Sequence, residues 1–328
     1  MSRNGSVNPG KPLRWRGLLW FIVLGGVLVI ARDRPAPVEP VLPPAGFTIA
    51  FIGDSDDESS FRDVLALIAD QGADMVVHNG DFSYETGPTR AWRNAIDEVL
   101  GREFPYVGAD GNHDEWAEYD GFFRDRLASM EVDIDVGSVE SASYAFTYQN
   151  IRFVFSKEGG DARHISTGFR RAPEAVWRFA GWHFNQSEMQ VGGKPDEQGW
   201  GDYEEARRAG AIITTGHEHS YSRTKTLSDM SRQTVAVDDR FLEVVEPGQT
   251  FAIVNGLGGR SVRDQERCLP TTYPYGCPEW AQIYTSDQGA TFGALFITVH
   301  VDGDARRGLG RFVTVDGEVV DQFDILIG

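Results

Sequence analysis

Short apolar runs that end at a glycine recur along the first two thirds of the chain, and helical spacing of apolar residues fills the gaps between them. FTIAFIG (47–53) is followed by helical spacing near 58–71, a second apolar run at 74–78 leading into HNGDFSY, helical spacing near 88–100, and PYVGA at 105–109. Another helix is expected from about 115 to 129. Brief apolar runs bounded by turn residues read as buried strands, and strands alternating with helices predict a sheet of parallel character. After residue 140, SYAFTYQN and IRFVFS stand either side of a short turn, as antiparallel neighbours do. WRFAGWH (177–183), a helix near 202–209 and AIITTG (211–216) restore the βαβ spacing. GALFITVHVDG, GRFVTVDG and VVDQFDILI read as closing hairpins with polar turns. The expectation is an α/β fold of two stacked sheets flanked by helices, formed by residues 46–328.

The N-terminus follows a different rule. Arg3, Lys11, Arg14, Arg16, Arg32 and Arg34 face only Asp33 within residues 1–34, so the rest of a chain of net charge −18 is more acidic still. Between Arg16 and Arg32, residues 17–31 are uncharged and apolar, which reads as an export signal. As a helix this stretch spans roughly 22 Å against roughly 30 Å of hydrocarbon, so it leans toward a cleaved signal peptide, with an uncleaved membrane anchor as the alternative. A proline-rich linker, residues 35–45, follows. The body is therefore expected outside the cytoplasm, periplasmic or extracellular. Its acidity argues against a nucleic-acid polymer as partner, and a small phosphate ester is the substrate class left open. Oligomeric state is not encoded in any readable pattern.

Cys268 and Cys277 are the only cysteines and bracket LPTTYPYG. In an oxidising compartment they are expected to close a short disulfide loop.

Each apolar run ends in residues able to bind metal. Asp54 lies in GDSD, Asp81 and Tyr84 in GDFSY, Asn112 and His113 in GNHD, His183 in AGWHFN, and His217 and His219 in GHEHS; four of the seven histidines fall here. One such residue is ordinary turn chemistry, but five strand ends with carboxylate, phenol, amide and imidazole donors are not. In extended backbone His217 and His219 would face the same side and could approach one centre. A carboxylate such as Asp81 can bridge two cations.

In this order the motifs resemble those of the calcineurin-like metallophosphoesterases, and the tyrosine of GDFSY is similar to that of their purple acid phosphatase branch. The resemblance runs from about residue 47 to 260. It implies a four-layer αββα sandwich of two mixed sheets with a dinuclear metal site at strand ends. Carried over by position, it implies Asp54, Asp81, Tyr84 and His219 on one metal, and Asp81, Asn112, His183 and His217 on the other. The first set is anionic and suits Fe³⁺; the second, with more neutral donors, suits Zn²⁺, Mn²⁺ or Fe²⁺. The implied chemistry is attack of a metal-bound hydroxide on phosphorus, with His113 contacting the phosphate or assisting the leaving oxygen and Asp114 orienting its ring.

The chain departs from the family pattern in places. Asp56 stands where those families have histidine or glycine, and an outer-shell role is expected for it. The extra histidine of larger plant-type members is missing from NQSEMQVGGK, so the proton donor to the leaving group is open. His164, beside Arg163, Arg170 and Arg171, is a candidate on a loop over the site, with an exposed basic turn as the alternative; Lys194 is another candidate. NGLGGR (255–260) reads as a tight turn near the site, His78 and His300 as structural, and Trp182 and Trp200 as core or pocket wall. With 53 residues ahead of Asp54, most of them signal and linker, the compact single-domain type is expected, without the extra β-sandwich domain of large members. The leading expectation is a phosphomonoesterase of acid-phosphatase type. The alternatives are a phosphodiesterase acting on nucleotide or lipid-headgroup diesters, and a non-catalytic metal-binding surface protein.

Overall fold

The computed structural model describes residues 1, 40–57, 59–84 and 90–328. The expected signal or anchor and the first part of the linker lie outside the described residues. Among the described residues no helix is long and apolar enough to cross a membrane. At the end of the proline-rich segment, Val41 bridges to Ala175, and the Leu42 carbonyl accepts a hydrogen bond from the Asn150 side chain at 2.7 Å.

The chain opens with β1 (Thr48–Ile52), α1 (Ser59–Asp70), β2 (Met75–Asn79), α2 (Arg90–Val99), β3 (Tyr106–Ala109) and α3 (Trp116–Ser129). It continues through β4 (Val136–Ser138), β5 (Ser143–Tyr148), β6 (Ile151–Phe155), α4 (Ala162–Arg171), β7 (Trp177–Gly181), α5 (Trp200–Ala209) and β8 (Ile212–Thr215). Then come β9 (Tyr221–Thr224), β10 (Thr226–Asp229), β11 (Thr234–Val237), β12 (Leu242–Val245), β13 (Ala252–Asn255) and β14 (Trp280–Tyr284). The last strands are β15 (Gly293–Val301), β16 (Asp304–Thr314) and β17 (Val319–Ile327).

Among the described residues these strands form a seven-stranded sheet, β12-β17-β16-β15-β1-β2-β3, an eight-stranded sheet, β14-β9-β13-β8-β7-β6-β5-β4, and the β10-β11 hairpin. Both large sheets are mixed. In the first, β1, β2 and β3 run parallel and β15 joins β1 antiparallel. In the second, β6, β7, β8 and β13 run parallel. Helices α1 and α3 lie against the first sheet with α2 packed on α1, and α4 and α5 cover the second. The inner faces meet through aromatic rings, Phe51 on Phe179 at 5.2 Å and Tyr221 on Phe312 at 4.2 Å. This is the expected αββα sandwich. Continuous burial of TIAFI, MVVHN and IITT explains why those strands read as unbroken apolar runs: each is covered on both faces.

Two features escaped the sequence. The segment holding His164 is helix α4, begun by Asp161, whose side chain accepts from the His164 amide. The region from 220 to 290 contains six strands that were not anticipated. The cysteines, as expected, form a disulfide between Cys268 and Cys277.

Candidate metal centre

The carboxyl ends of parallel strands from both sheets meet at Gly53, where a Cβ would lie 3.2 Å from Gly216 and 3.3 Å from the Asn255 carbonyl. Ligands of open α/β sheets gather at such strand ends. Backbone hydrogen bonds stitch the loops together: Asp54 N–H to the Gly80 carbonyl at 3.0 Å, Gly216 N–H to His183 at 3.1 Å, and Arg260 N–H to Asp54 at 3.0 Å. A Cβ on Gly111 would fall on the Asp81 amide and carboxylate, so only glycine fits that motif position. Asp54, Asp81 and His217 have φ of 57°, 55° and 70°. Side-chain-bearing residues adopt this left-handed backbone at a cost, and such strain concentrates at functional sites.

Six of the seven expected ligands converge, in two groups. In the first, the Tyr84 hydroxyl lies 2.9 Å from Asp81 Oδ2, 3.3 Å from Asp54 Oδ1 and 3.0 Å from His219 Nε2, and His219 Nε2 lies 3.2 Å from Asp54 Oδ1. In the second, His183 Nε2 lies 3.3 Å from Asp81 Oδ1 and 3.2 Å from His217 Nδ1. Asp81 stands between them with one oxygen on each. Donors bound about 2.1 Å from a shared ion lie about 3.0 to 3.4 Å from one another in octahedral or tetrahedral geometry, so these spacings fit a cation in each group. Asp81, His183 and His217 offer donor atoms all within 4.8 Å of one another, close enough to hold one ion.

Each imidazole is turned by a partner on its far nitrogen. His183 Nδ1 meets the Asn79 carbonyl at 2.6 Å, His217 Nε2 meets the Glu197 carboxylate at 2.7 Å, and His219 Nδ1 meets Ser261 Oγ at 2.5 Å. An N–H donated outward leaves the other nitrogen's lone pair facing inward, which is how outer partners set a metal-binding tautomer. Glu197 and Ser261 were not found from the sequence; both come from loops remote from the motifs. His217 and His219 do not approach one centre as extended alternation suggested. The backbone turns at His217, and the rings enter different groups.

The electrostatics suit cations. Burial alone would lower His183, but the Asp81 carboxylate reverses this and lifts it to about 10. Burial likewise favours a protonated Asp81, and His183 overrides it, holding Asp81 below the usual carboxylate range. Burial, with the charge of His183, pushes His217 down to about 2, so it stays neutral and able to coordinate. Burial and the two aspartates push the Tyr84 phenol up, so without a cation it keeps its proton.

A pH dependence follows for protein stripped of metal. Since the His183 value is raised when folded, its contribution to stability is complete below 6.5 and is lost as pH rises toward about 10. The melting temperature of chelator-treated protein should fall across that interval, as followed by circular dichroism. A flat profile there would contradict the Asp81–His183 ion pair.

The remaining candidates fall as follows. Asn112 is exposed and its side chain makes no hydrogen bond to the cluster, although its neighbour His113 donates its backbone N–H to Asp81 Oδ1 at 3.0 Å. The exposed His113 ring packs at a tilt of 41° against Tyr84, ring centroids 4.4 Å apart. Asp114 does not orient that ring. Its carboxylate accepts backbone N–H groups of Asp81, Phe82 and Gly111 at 2.8 to 2.9 Å, fastening the GDFSY turn to GNHD. Asp56 takes an outer position, paired at 2.5 Å with Arg260, whose guanidinium lies 4.4 Å over the Tyr84 ring. NGLGGR is thus a tight turn that delivers Arg260 to the site.

His164 is buried on α4, not on a loop over the site, because its helix packs that face on β4, β5 and β6. Lys194 is half-buried, its ammonium lowered by burial and by Arg263. His78 is buried among Phe82, Trp92 and Tyr106, and His300 Nδ1–H donates to the Pro43 carbonyl at 2.8 Å; both are structural. Trp182 and Trp200 pack in the second core around Tyr203.

An αββα sandwich whose parallel strand ends hold two donor groups around a shared carboxylate defines a metal-dependent hydrolase architecture. The calcineurin-like phosphoesterase family model matches residues 47–221, and the chain belongs to this family. Among solved structures it is similar to purple acid phosphatase PPD1 from yellow lupin (Lupinus luteus) seeds, at 17% identity and a TM-score of 0.62, covering 88% of this chain and 55% of the lupin chain. The chain thus spans about half the length of that relative. It is also similar to GAP50, the anchor in the inner membrane complex of Plasmodium (13% identity, TM-score 0.56, 87% of this chain and 90% of that one). A third likeness is to PhoD (12% identity, TM-score 0.54, 84% and 67%). These likenesses concern the fold. No curated protein matches the chain in sequence.

Proposed function

We propose that this chain is an exported dinuclear-metal phosphomonoesterase. The observation that carries the reading is Asp81, one oxygen on each of two donor groups. Asp54, Asp81, Tyr84 and His219 would hold Fe³⁺, for which carboxylate and phenolate donors are suited. Asp81, His183, His217 and, from its exposed loop, Asn112 would hold Zn²⁺, Mn²⁺ or Fe²⁺. Such a pair supplies positive charge beside the phosphoryl oxygens and makes a water acidic enough to attack.

The chain's own residues do the rest. Glu197, Ser261 and the Asn79 carbonyl fix the three imidazoles before substrate arrives, and Asp114 fixes the two turns. His113, exposed beside Tyr84, meets the ester oxygen that departs and gives it a proton. Arg260, paired with Asp56 and lying 4.4 Å over the Tyr84 ring, brings a guanidinium to the mouth of the site in a chain that is otherwise strongly acidic. This favours the doubly charged monoester over the singly charged diester. The Cys268–Cys277 disulfide supports an oxidising, exported location.

The deciding experiment compares hydrolysis of p-nitrophenyl phosphate with bis-p-nitrophenyl phosphate after loading with iron and zinc or with manganese. Faster monoester hydrolysis supports the reading, faster diester hydrolysis favours a phosphodiesterase, and silence on both leaves a metal-binding protein without turnover. His113→Ala should keep its metal by elemental analysis and lose about 10²- to 10⁴-fold in kcat, the usual range for a general acid. Full activity in that variant would remove His113 from the reaction.

A further inference from the structure

On the His217 side of the centre lies a cavity of about 280 Å³ lined by Gly193, Lys194, Glu218, Arg263, Asp264 and Glu266. Glu218 separates His217 from His219 in the chain, and the Arg263 N–H donates to the His219 carbonyl at 2.9 Å. The charges of Lys194 and Arg263 both act on His217. The cavity therefore adjoins the His217–His219 turn, which feeds both donor groups.

Two of its side chains are poorly matched to their surroundings. Glu218 is 1% exposed, yet neither carboxylate oxygen accepts a hydrogen bond, and its ion pair with Arg263 is long at 3.6 Å. Buried acceptors left without donors are costly and rare, and they mark a place that a ligand or water completes. Lys194 is half-buried, and among the described residues its ammonium has no hydrogen bond or ion pair. A ligand that completes the cavity must give a hydrogen to Glu218 and accept one from Lys194. A hydroxyl group does both.

Charge narrows the class further. Asp264 and Glu266 offset Lys194 and Arg263, while burial pushes the Glu218 carboxyl up to about 7, so an anionic group gains little here. An apolar ring would leave Glu218 and Lys194 unsatisfied. We infer that this cavity receives the alcohol side of the substrate and selects esters whose leaving group is a neutral polyol, that is, sugar or polyol phosphates. This rests on the phosphoesterase reading above.

The test uses the full metal-loaded chain with glucose 6-phosphate, p-nitrophenyl phosphate and pyrophosphate as substrates. The wild type should turn over glucose 6-phosphate with higher kcat/KM than pyrophosphate. In Lys194→Met the ratio of kcat/KM for glucose 6-phosphate to that for p-nitrophenyl phosphate should fall about 10- to 100-fold, mainly through KM, as for a lost hydrogen bond to a charged group. Arg263→Met, the other cation of the cavity, gives the same comparison should the first variant misfold. An unchanged ratio in both folded variants, or pyrophosphate as the better substrate, overturns the polyol subsite while leaving the phosphoesterase intact. Hydrolysis of none of the three esters overturns both.

Discussion

Asp81→Asn should fold, bind at most one metal ion per chain and lose more than about 10³-fold in phosphatase turnover, since even outer partners of a metal site typically cost 10- to 100-fold. The substitution preserves shape, so Oδ1 can still accept the His113 N–H that now reaches it at 3.0 Å. What it removes is the charge shared by both donor groups. A neutral amide cannot offer an anionic oxygen to each side, and the two groups would be left with His183 and His217 in one and Asp54, Tyr84 and His219 in the other. Elemental analysis of the purified variant and an assay with p-nitrophenyl phosphate check both halves of this expectation. Two bound ions with a near-native rate would show that Asp81 is not the bridge.

Arg223→Met should destabilise the fold by about 3 to 5 kcal/mol, the range for breaking a buried ion pair from one side. Arg223 is fully buried on β9. Its guanidinium binds Asp321 through two hydrogen bonds of 2.8 and 3.0 Å, pairs with Glu243, and lies 3.8 Å over the Phe323 ring. Asp321 and Phe323 are on β17 and Glu243 on β12, so this cluster joins the second sheet to the first. The Tyr221 hydroxyl on Asp321 and the Thr226 hydroxyl on Glu243, both 2.7 Å, complete it. Losing the cation strands two buried carboxylates. Adding Glu243→Gln and Asp321→Asn should restore much of the loss, because the charge left behind is then gone. Urea denaturation of both variants measures the difference. A change below about 1 kcal/mol in Arg223→Met would mean the cluster is held by packing alone.

The same cluster explains where the sequence stopped being legible. YSRT in β9 reads as polar surface, but it is fully buried because carboxylates from the opposite sheet neutralise its arginine. Strands covered on both faces by apolar neighbours, such as β1, β2 and β8, announced themselves as apolar runs. The motif residues were readable because they follow those runs directly. Their partners were not: Glu197 precedes His217 by 20 residues and Ser261 follows His219 by 42, and only folding brings them together. Asp114 misled for a related reason. Its place next to His113 suggested a ring partner, while three backbone N–H groups of the facing turns had the stronger claim on its carboxylate. On α4, arginines obscured a buried stripe of His164, Ile165 and Phe169.

The strand ends that meet at Gly53 come from both sheets, and the residues they bring together run from Asp54 to Ser261. No contiguous half of the chain contains the set. During synthesis, then, a nascent chain that has emerged only as far as His183 holds neither donor group complete. Both groups wait until strand ends from the two sheets lie side by side.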